Sequence, residues 1–461
     1  MKMTSFVFTV LLLIICHVRS YGQTGSNLIS NPDFSKGKTG QLPDGWINEA
    51  HRQSLAPSFK KVMHRGEPAL EIRGIGRNDV NGSIKTETVV EGGKTYLYKV
   101  MFSVSEQMNP HRTLLFQCYG PNNKDGIFEY VKKDNGWIEG LAKIKFPGTG
   151  SQKATIRIIF RHSENGKVII NKLSLTETTP VPERWVRMAV TSGKPLLANI
   201  PNIAEKASQE KADILLLPEY MNGGKLVVEA IDGPSATLMS DLAKKYKMYI
   251  AGGIVRKSEN SDQIYNTTIL YDRNGNIAGM YDKIHPYSPE VNEEGITPGD
   301  KVVVLDTDFG KVGFMVCYDS WFTDVAELNA LKGAELILFP NAGYYRSLLP
   351  ARAADNNVRI MSSSLHNDNG IWDTGGRDVL DPNSDKTSRM QEGPTFKDTR
   401  ELKVDNIKLL VSSLDLNYSP SPHYNGGTMY SAPGGRRNRA EQLFYLDDEI
   451  KKEKQRWWSE P

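Results

Sequence analysis

The sequence has few cysteines, and this scarcity excludes a fold held together by a disulfide framework. Three cysteines occur in 461 residues, at positions 16, 118 and 317. Small exported domains that lack a sufficient core usually carry many paired cysteines. A chain of this length buries apolar cores without them. Each cysteine is therefore either a small buried residue or is present for its chemistry.

The chain also lacks a large net charge and a long apolar run. Its formal charge of +3 is too small for the basic surface that binds nucleic acid, so no nucleic-acid partner is predicted. The apolar run over 6–16 follows Lys2 and is too short to span a bilayer. It predicts a cleavable signal peptide over residues 1–22 and an exported protein, which is periplasmic, at the cell surface or secreted. A buried N-terminal strand is the alternative.

Residues 27–178 consist of short segments rich in Val, Ile, Tyr, Phe and Thr, and turns with Gly and Asn separate them. This pattern predicts an all-β sandwich. The predicted strands are Ala69–Ile72, Thr95–Val104, Thr113–Tyr119, Ala154–Arg161 and Lys167–Thr176.

The two ends of this region carry a resemblance. The opening Asn27–Phe34, followed by Gly45-Trp46, and the closing Val168–Leu175 resemble the first and last strands of galactose-binding-like jelly-roll modules of the carbohydrate-binding-module type. The resemblance implies a carbohydrate ligand held by exposed aromatic rings. The candidate rings are those of Trp46, Tyr119, Phe128 and Trp137. For each ring, packing in the core or in a turn is the alternative.

Residues 179–184 are rich in proline and predict a linker. Beyond it, over 185–446, strands alternate with helices, which predicts an α/β domain. The predicted helices are Asn199–Lys211, Ser235–Tyr246 and Thr323–Lys332, the last with Thr323 as its N-cap. Residues 447–461 form a C-terminal tail, which either wraps the domain or a neighbouring subunit or is solvated.

Three polar residues follow apolar strands in this α/β region. Glu219 ends 214–219, Lys283 ends 280–283, and Cys317 ends 313–317. Ligands of open α/β sheets bind beyond the carboxyl ends of the strands, where a carboxylate, an amine and a thiol can converge. Taken singly, each residue is more often a solvated or buried side chain than a catalytic one.

Together, the three side chains permit nucleophilic catalysis. A thiol with a pKa near 8.5 is mostly protonated at neutral pH, so Glu219 would act as its general base. The Cys317 thiolate would attack an electrophilic carbon. The Lys283 ammonium and the backbone N–H of Tyr318 would stabilise the oxyanion.

The strings around these residues resemble the nitrilase, or carbon–nitrogen hydrolase, superfamily over residues 185–446. Seven stretches match in the order of the family: Ala212–Glu219, Tyr281–His285, Thr297–Asp300, Asp306–Gly313, Val316–Asp319, Lys332–Pro340 and Ala351–Asn356. The resemblance implies a four-layer αββα sandwich, a Glu219–Lys283–Cys317 triad, and a homodimer or higher homo-oligomer. It implies no cofactor and no metal.

The family often has a second glutamate near the nucleophile. Glu290, Glu293 and Glu294 are available, and Glu294 best fits the Glu-Gly-x-x-Pro-Gly form of the family, with Glu290 in reserve. Other positions depart from the pattern after the nucleophile and after Pro340. The substrate-pocket candidates are Tyr344, Tyr345 and His366, and plain packing is the alternative for each.

The resemblance implies a hydrolase that cleaves a non-peptide C–N bond of a small linear amide or carbamoyl amide, because Tyr318-Asp319 is closer to the amidase branches than to the nitrile-cleaving ones. With the predicted signal peptide, this hydrolase would be exported. A cysteine thioester would be the intermediate, and ammonia or an amine would be released. Two alternatives remain open. One is an N-acyltransferase that uses the same acyl-enzyme, and the other is a non-catalytic carbohydrate-binding surface protein.

Overall fold

The structure is a computed structural model that describes residues 25–106, 108–121, 124–127, 130–195, 197–223, 227–343, 346–366, 369–380 and 396–417. Several sequence predictions lie outside the described residues: the signal peptide over 1–22, the tail over 447–461, Phe128, Tyr344 and Tyr345. Within the described ranges, no helix combines the length and the apolar character that a membrane span needs.

The first part of the chain forms two antiparallel sheets and one short helix, α1 (Pro110–Thr113). The five-stranded sheet has the order β1-β4-β10-β6-β7, and the six-stranded sheet has the order β2-β3-β11-β5-β9-β8. The strands are β1 (Ile47–Glu49), β2 (Ser58–His64), β3 (Glu67–Arg73), β4 (Asn81–Glu91), β5 (Thr95–Val104), β6 (Leu114–Tyr119), β7 (Lys124–Ile127), β8 (Tyr130–Lys132), β9 (Ile138–Lys145), β10 (Ser151–Arg161) and β11 (Lys167–Thr178).

The two sheets pack around a common apolar core because one face of each strand is apolar. In β10, for example, Ile156, Ile158 and Phe160 are fully buried and alternate with more exposed residues. They join one apolar cluster with residues of the other sheet, such as Tyr98 and Ile170. The structure therefore contains the two packed sheets that the sequence predicted, whereas the jelly-roll resemblance stays a prediction.

One aromatic candidate for sugar binding belongs to this core. Trp46 is only 4% exposed, packs against Phe34 and donates its indole N–H to the Asn31 carbonyl at 3.4 Å. Its hydrogen-bonding group is thus used inside the fold, so the expectation that Trp46 offers a ring to a ligand is wrong. Tyr119 and Trp137 are half-buried.

A buried lysine of β2 stabilises the chain segment over residues 35–37, which precedes β1. Lys61 is 7% exposed, and its ammonium donates to the carbonyls of Ser35 at 2.5 Å and Gly37 at 2.8 Å. We expect Lys61→Met to lower the free energy of unfolding by about 2–4 kcal/mol, because two charge-assisted hydrogen bonds are lost and two carbonyls lose a donor. Chemical denaturation checks this value. The exposed neighbour Lys60 provides the control, since Lys60→Met should change it by less than about 0.5 kcal/mol.

The second part of the chain is a 13-stranded mixed sheet with helices. Its central path is β17-β16-β15-β13-β12-β21-β20-β19-β18. The strands are β12 (Trp185–Ser192), β13 (Ile214–Leu216), β14 (Val228–Glu229), β15 (Tyr249–Lys257), β16 (Ile264–Tyr271), β17 (Ile277–Asp282), β18 (Val304–Asp306), β19 (Lys311–Phe314), β20 (Leu336–Asn341), β21 (Arg359–Ser364), β22 (Gly370–Trp372), β23 (Phe396–Val404) and β24 (Ile407–Asp415).

The described α-helices of this part are α2 (Ile200–Gln209), α3 (Pro234–Tyr246), α4 (Ser288–Asn292), α5 (Asp324–Leu331) and α6 (Leu348–Asn356). Three of them, α2, α3 and α5, lie within two residues of the bounds that the sequence predicted. Thr323 occupies the N-cap position of α5 that the sequence predicted, but its side chain makes no capping hydrogen bond. The four-layer arrangement of the sandwich stays a prediction.

The topology places the ends of three strands on the same side of the sheet. Strands β12, β13, β15, β19, β20 and β21 pair in parallel. Strand β17 is antiparallel to β16, which is antiparallel to β15, so β17 runs in the same direction as β13 and β19. The carboxyl ends of β13, β17 and β19 therefore point to one edge, where a site is expected.

Candidate active site

A buried carboxylate, Glu219, lies just beyond the end of β13. The backbone on both sides of it is fixed by β15, because Gly253 N–H donates to the Pro218 carbonyl at 3.1 Å and Met221 N–H donates to the Gly253 carbonyl at 2.9 Å. The Glu219 side chain is 1% exposed. A carboxylate so deeply buried requires a cationic partner.

Lys283 is this partner, and it follows β17. Its ammonium is 3.0 Å from Glu219 Oε1 and 2.7 Å from Glu290 Oε2. The backbone of Lys283 is also held, since its carbonyl accepts the N–H of Gly299 at 2.8 Å. A Cβ at Gly299 would lie 2.1 Å from the Asp282 carbonyl oxygen, so only glycine allows this approach.

Neighbouring charges fix the protonation states of Lys283 and Glu290. Burial lowers the pKa of Lys283, but the negative charge of Glu219 and that of Glu290 outweigh burial, so the pKa of Lys283 lies above its ordinary value. Burial raises the pKa of Glu290, yet the charge and the hydrogen bond of Lys283 lower it below the ordinary value. Lys283 is thus a permanent cation between two carboxylates at neutral pH.

Two neutral side chains, which the sequence did not single out, complete this cluster. Asn266 is fully buried in β16, and its Nδ2 lies 2.6 Å from Glu219 Oε1 and 2.8 Å from Glu290 Oε1. The Tyr220 hydroxyl donates to the same Glu290 oxygen. A polar Asn inside an otherwise buried strand was the available signal, because a buried amide requires partners.

Cys317 starts the 3-10 helix Cys317–Trp321, and two residues separate this helix from the end of β19. Its φ of +44° lies in the left-handed region, a strained conformation for a non-glycine residue that is typical of functional sites. Its Sγ donates to the Gly343 carbonyl at 3.1 Å. Burial and then the charge of Glu219 raise the pKa of the Cys317 thiol to about 12, against the opposing effect of Lys283. Cys317 is therefore a neutral thiol at neutral pH.

The structure brings Glu219, Lys283 and Cys317 into one electrostatic cluster, as the sequence predicted. Among the neighbouring charges, Glu219 makes the largest contribution to the raised pKa of Cys317 and to the raised pKa of Lys283. Glu219 Oε1 accepts from Lys283 and Asn266, whereas the buried Oε2 accepts no hydrogen bond from any described residue. This second oxygen has the unused acceptor capacity that a general base needs.

The predicted second glutamate needs a correction. The sequence favoured Glu294 over Glu290, but it is Glu290 in α4 that contacts the Lys283 ammonium, whereas Glu294 is half-buried and Glu293 is exposed. The short helix α4 turns the chain back, so a residue only seven positions after Lys283 returns to it. Glu290 also accepts the Tyr287 N–H at 2.6 Å, which fixes its carboxylate.

We expect Glu290→Gln to lower kcat by about 10²-fold. The Lys283 ammonium then has Glu219 as its one described anionic partner, and the stronger interaction makes the Glu219 carboxylate a weaker acceptor of the thiol proton. Steady-state ammonia release measures the effect. Glu293→Gln is the control, and its rate should equal that of the parent. A larger loss in Glu294→Gln than in Glu290→Gln would contradict the assignment.

Asp319 positions the backbone on both sides of the nucleophile. The fully buried carboxylate accepts the Val316 N–H and the Tyr281 hydroxyl at 2.8 Å each, and the His285 N–H at 2.9 Å. It thereby links the segment that carries Lys283 to the one that carries Cys317. Burial raises the pKa of Asp319 from 3.8 to about 6, although the three hydrogen bonds oppose this rise.

This pKa predicts a pH dependence. The pKa of Asp319 in the folded chain lies above 3.8, so the folded chain binds this proton at a higher pH than the unfolded chain does. The contribution of Asp319 to stability therefore increases as the pH falls from about 7 to about 4. Activity should fall over the same range, because a protonated carboxyl accepts these hydrogen bonds less well.

Asp319→Asn should lower kcat about tenfold at pH 7.5 and remove the pH dependence of both stability and activity. Rate and denaturation profiles from pH 4.5 to 8 test this. The exposed Asp324 provides the control substitution, Asp324→Asn, which should keep both dependences.

The remaining predicted pocket residues have different outcomes. No described residue accepts a hydrogen bond from the Tyr318 N–H, which is compatible with a role in binding the oxyanion, and this role stays a prediction. The exposed His366 lies near the nucleophile, because its Cδ2 is 3.3 Å from the position that a Cβ at Gly343 would take. Tyr344 and Tyr345 follow Gly343 but lie outside the described residues.

Comparison with known proteins identifies this part of the chain. Residues 186–372 match the family model "Carbon-nitrogen hydrolase". The Xenopus laevis protein Omega-amidase NIT2-B is 33% identical over 182 residues, which are 35% of this chain and 66% of the relative. The Saccharomyces cerevisiae protein Omega-amidase NIT3 is 29% identical over 198 residues, which are 36% of this chain and 68% of the relative.

The chain thus spans about two thirds of the length of these curated relatives. A solved structure of Saccharomyces cerevisiae Nit3, a member of branch 10 of the nitrilase superfamily, aligns with a TM-score of 0.42 at 23% identity, over 50% of this chain and 90% of that chain. The family match covers Glu219, Lys283, Glu290 and Cys317 together. Residues 186–372 therefore form a carbon–nitrogen hydrolase domain.

Proposed function

We propose that this chain hydrolyses the C–N bond of a small linear amide or carbamoyl amide through a thioester on Cys317. One observation carries the proposal: a thiol at a strand end faces a buried cluster in which Lys283 contacts both Glu219 and Glu290. This arrangement supplies a nucleophile, a base and a cation for an oxyanion. The similarity to relatives named Omega-amidase supports amides rather than nitriles as the proposed substrates.

The first half of the reaction forms the thioester. Glu219 takes the Cys317 proton while Sγ attacks the carbonyl carbon, and the carbonyl π electrons move to the oxygen. The Lys283 ammonium and the Tyr318 N–H stabilise the resulting oxyanion. When the oxyanion collapses, the C–N bond breaks, and the protonated Glu219 gives its proton to the leaving nitrogen. Ammonia or an amine departs, and the acyl group stays on sulfur.

The second half releases the acid. Glu219, again a carboxylate, takes a proton from water, and the hydroxide oxygen attacks the thioester carbon. The second oxyanion collapses with cleavage of the C–S bond, and Glu219 returns the proton to the sulfur. Glu290 does not touch the reacting atoms in this scheme. It balances and orients the Lys283 ammonium, which leaves the free oxygen of Glu219 for proton transfer.

A substrate screen tests the proposal. Linear amides, carbamoyl amides and nitriles are incubated with the full chain, and ammonia release is measured, with Cys317→Ala as the blank. We expect turnover of at least one amide class and none of nitriles. Addition of a weakly nucleophilic amine, glycine, distinguishes the fates of the acyl group, because a hydrolase still forms mainly the acid. Predominant transfer to the amine would replace hydrolysis by acyl transfer, and turnover by Cys317→Ala would exclude the thioester.

A further inference from the structure

A second concave site lies in the first part of the chain, on the outer face of the five-stranded sheet. It is a cavity of about 500 Å³, a size typical of small-molecule sites. Its base is formed by β4, β6 and β10, and the segment 51–55 forms one wall. A Cβ at Gly82 would lie 2.6 Å from Pro57, so the glycine lets this segment approach the sheet closely.

The floor of the cavity is apolar at its centre. Leu115 and Ile159 lie opposite each other on β6 and β10, and Ile159 lies opposite Ser83 on β4. Leu55 lines the cavity from the wall. Residues 157 and 161 flank Ile159 on the same face of β10, because side chains on a strand alternate. An apolar patch therefore lies between two arginines.

The charge of the cavity is positive. Among its lining residues are Arg52, Arg157, Arg161, Glu49 and Asp79. Both carboxylates also have a basic partner outside the lining: Lys85 binds Glu49 at 2.6 Å, and Arg77 binds Asp79 at 2.8 Å. This group of side chains thus has five cations and two anions. The pKa of His162 is lowered, first by burial and then by the charges of Arg161 and Arg112, which agrees with a positive environment.

Arg157 has free hydrogen-bonding capacity in this cavity. Its Nε donates to Ser83 Oγ at 3.0 Å and lies 3.2 Å from Glu49 Oε2. Its two terminal nitrogens make no hydrogen bond to any residue that the structure describes. These contacts hold the guanidinium in place, and its terminal N–H groups remain available for a carboxylate, which matches the guanidinium fork.

We propose that this cavity binds an anionic carbohydrate, namely a sugar unit that carries a carboxylate. Its carboxylate would bind Arg157, a carboxylate of the neighbouring unit would bind Arg161, and the apolar ring face would pack on Leu115 and Ile159 between them. Sugar hydroxyls both donate and accept hydrogen bonds, as do the amide of Asn81 and the imidazole of His51 in the lining. An acidic peptide has no equivalent row of hydroxyls. The site is independent of the amide chemistry proposed for Cys317.

Isothermal titration of the full chain tests this inference, with trigalacturonate as the probe and maltotriose as the neutral control. We expect trigalacturonate to bind and maltotriose to bind at least about tenfold more weakly. Arg157→Gln and Arg161→Gln should each weaken trigalacturonate binding by about tenfold, because each removes a charge-assisted contact. Lys153→Gln removes the same charge from β10 outside the cavity lining and should leave the affinity unchanged.

Three outcomes would overturn the proposal: no heat of binding with trigalacturonate at millimolar concentration, equal affinity for maltotriose, or an affinity that survives the Arg157→Gln, Arg161→Gln double substitution. Tight binding of oligoglutamate to the same arginines would assign the cavity to acidic peptides instead and would also overturn it. Circular dichroism of each variant separates loss of binding from loss of folding. These outcomes do not depend on whether Cys317 turns over an amide.

Discussion

Replacement of Cys317 by alanine is expected to lower kcat/KM for amide hydrolysis by at least about 10⁴-fold, because no other described group at the carboxyl ends of β13, β17 and β19 is a thiol that can hold the acyl group. The fold should persist, since the described polar contact that is lost is a single hydrogen bond from Sγ to the Gly343 carbonyl. Ammonia release measures the rate, and far-UV circular dichroism reports the fold.

The other described cysteine provides a matched control. Cys118 is fully buried in β6 of the first part of the chain, so Cys118→Ala should leave kcat/KM unchanged. Intact-mass spectrometry of the parent during turnover should show an acyl adduct that disappears in Cys317→Ala and persists in Cys118→Ala. Retention of more than a few per cent of the activity by Cys317→Ala, or an adduct on another residue, would refute the thioester mechanism.

The grouping of Glu219, Lys283 and Cys317 was predictable from sequence because these residues have local signatures. Each of Glu219, Lys283 and Cys317 directly follows a short apolar strand, and the family strings surround them. The parallel direction of β13, β17 and β19 then brings these positions to one edge of the sheet. Local patterns and one general rule of α/β topology were sufficient for this part of the site.

The rest of the site depends on long-range register and on backbone geometry. Asn266 reaches both carboxylates because β16 pairs with β17 in a register that lets Lys283 N–H donate to the Asn266 carbonyl at 2.9 Å. Glu290 is selected over Glu294 by the five-residue helix α4, which is too short to leave a periodic pattern. The positive φ of Cys317 likewise has no signature in the residue type.

In the first part of the chain too, the strands were predictable from local patterns, whereas the cavity was not. Alternating apolar residues predicted strands such as β5 and β11 with bounds within two residues. The functional expectation relied on aromatic residue type, and Trp46 proved to be a core residue. The cavity beside Ile159 is instead formed by residues from several strands and from the segment 51–55. Only the pairing of β4, β6 and β10 brings them together, so no local pattern indicated it.

Glu219→Gln is expected to lower kcat at pH 7 by about 10³- to 10⁴-fold, because the amide cannot accept the thiol proton or protonate the leaving nitrogen. With a thiol pKa of about 12, spontaneous ionisation gives on the order of one thiolate in 10⁵ at pH 7. The parent therefore depends on proton transfer to Glu219 rather than on a preformed thiolate.

The same substitution should lower the pKa of the Cys317 thiol, although it slows turnover. The charge of Glu219 is the second largest cause of the raised Cys317 pKa, and Lys283 lowers this pKa. Without the carboxylate, the Lys283 ammonium acts with less opposition, so the pKa of the thiol should fall below that of the parent. Iodoacetamide labelling of Cys317 as a function of pH measures this shift. Glu219→Gln should label at a lower pH than the parent, although it turns over far more slowly.

Glu219→Asp separates the charge of Glu219 from its reach. The shorter carboxylate keeps the negative charge beside Lys283 but withdraws the free oxygen from Sγ by about one carbon–carbon bond. Its labelling profile should therefore stay close to that of the parent, while its kcat falls, because proton transfer requires hydrogen-bond distance. If Glu219→Gln kept more than a tenth of the parent kcat at pH 7, Glu219 would not be the base. If the thiol pKa of Glu219→Gln rose instead of falling, the charge of Glu219 would not be a cause of the raised Cys317 pKa.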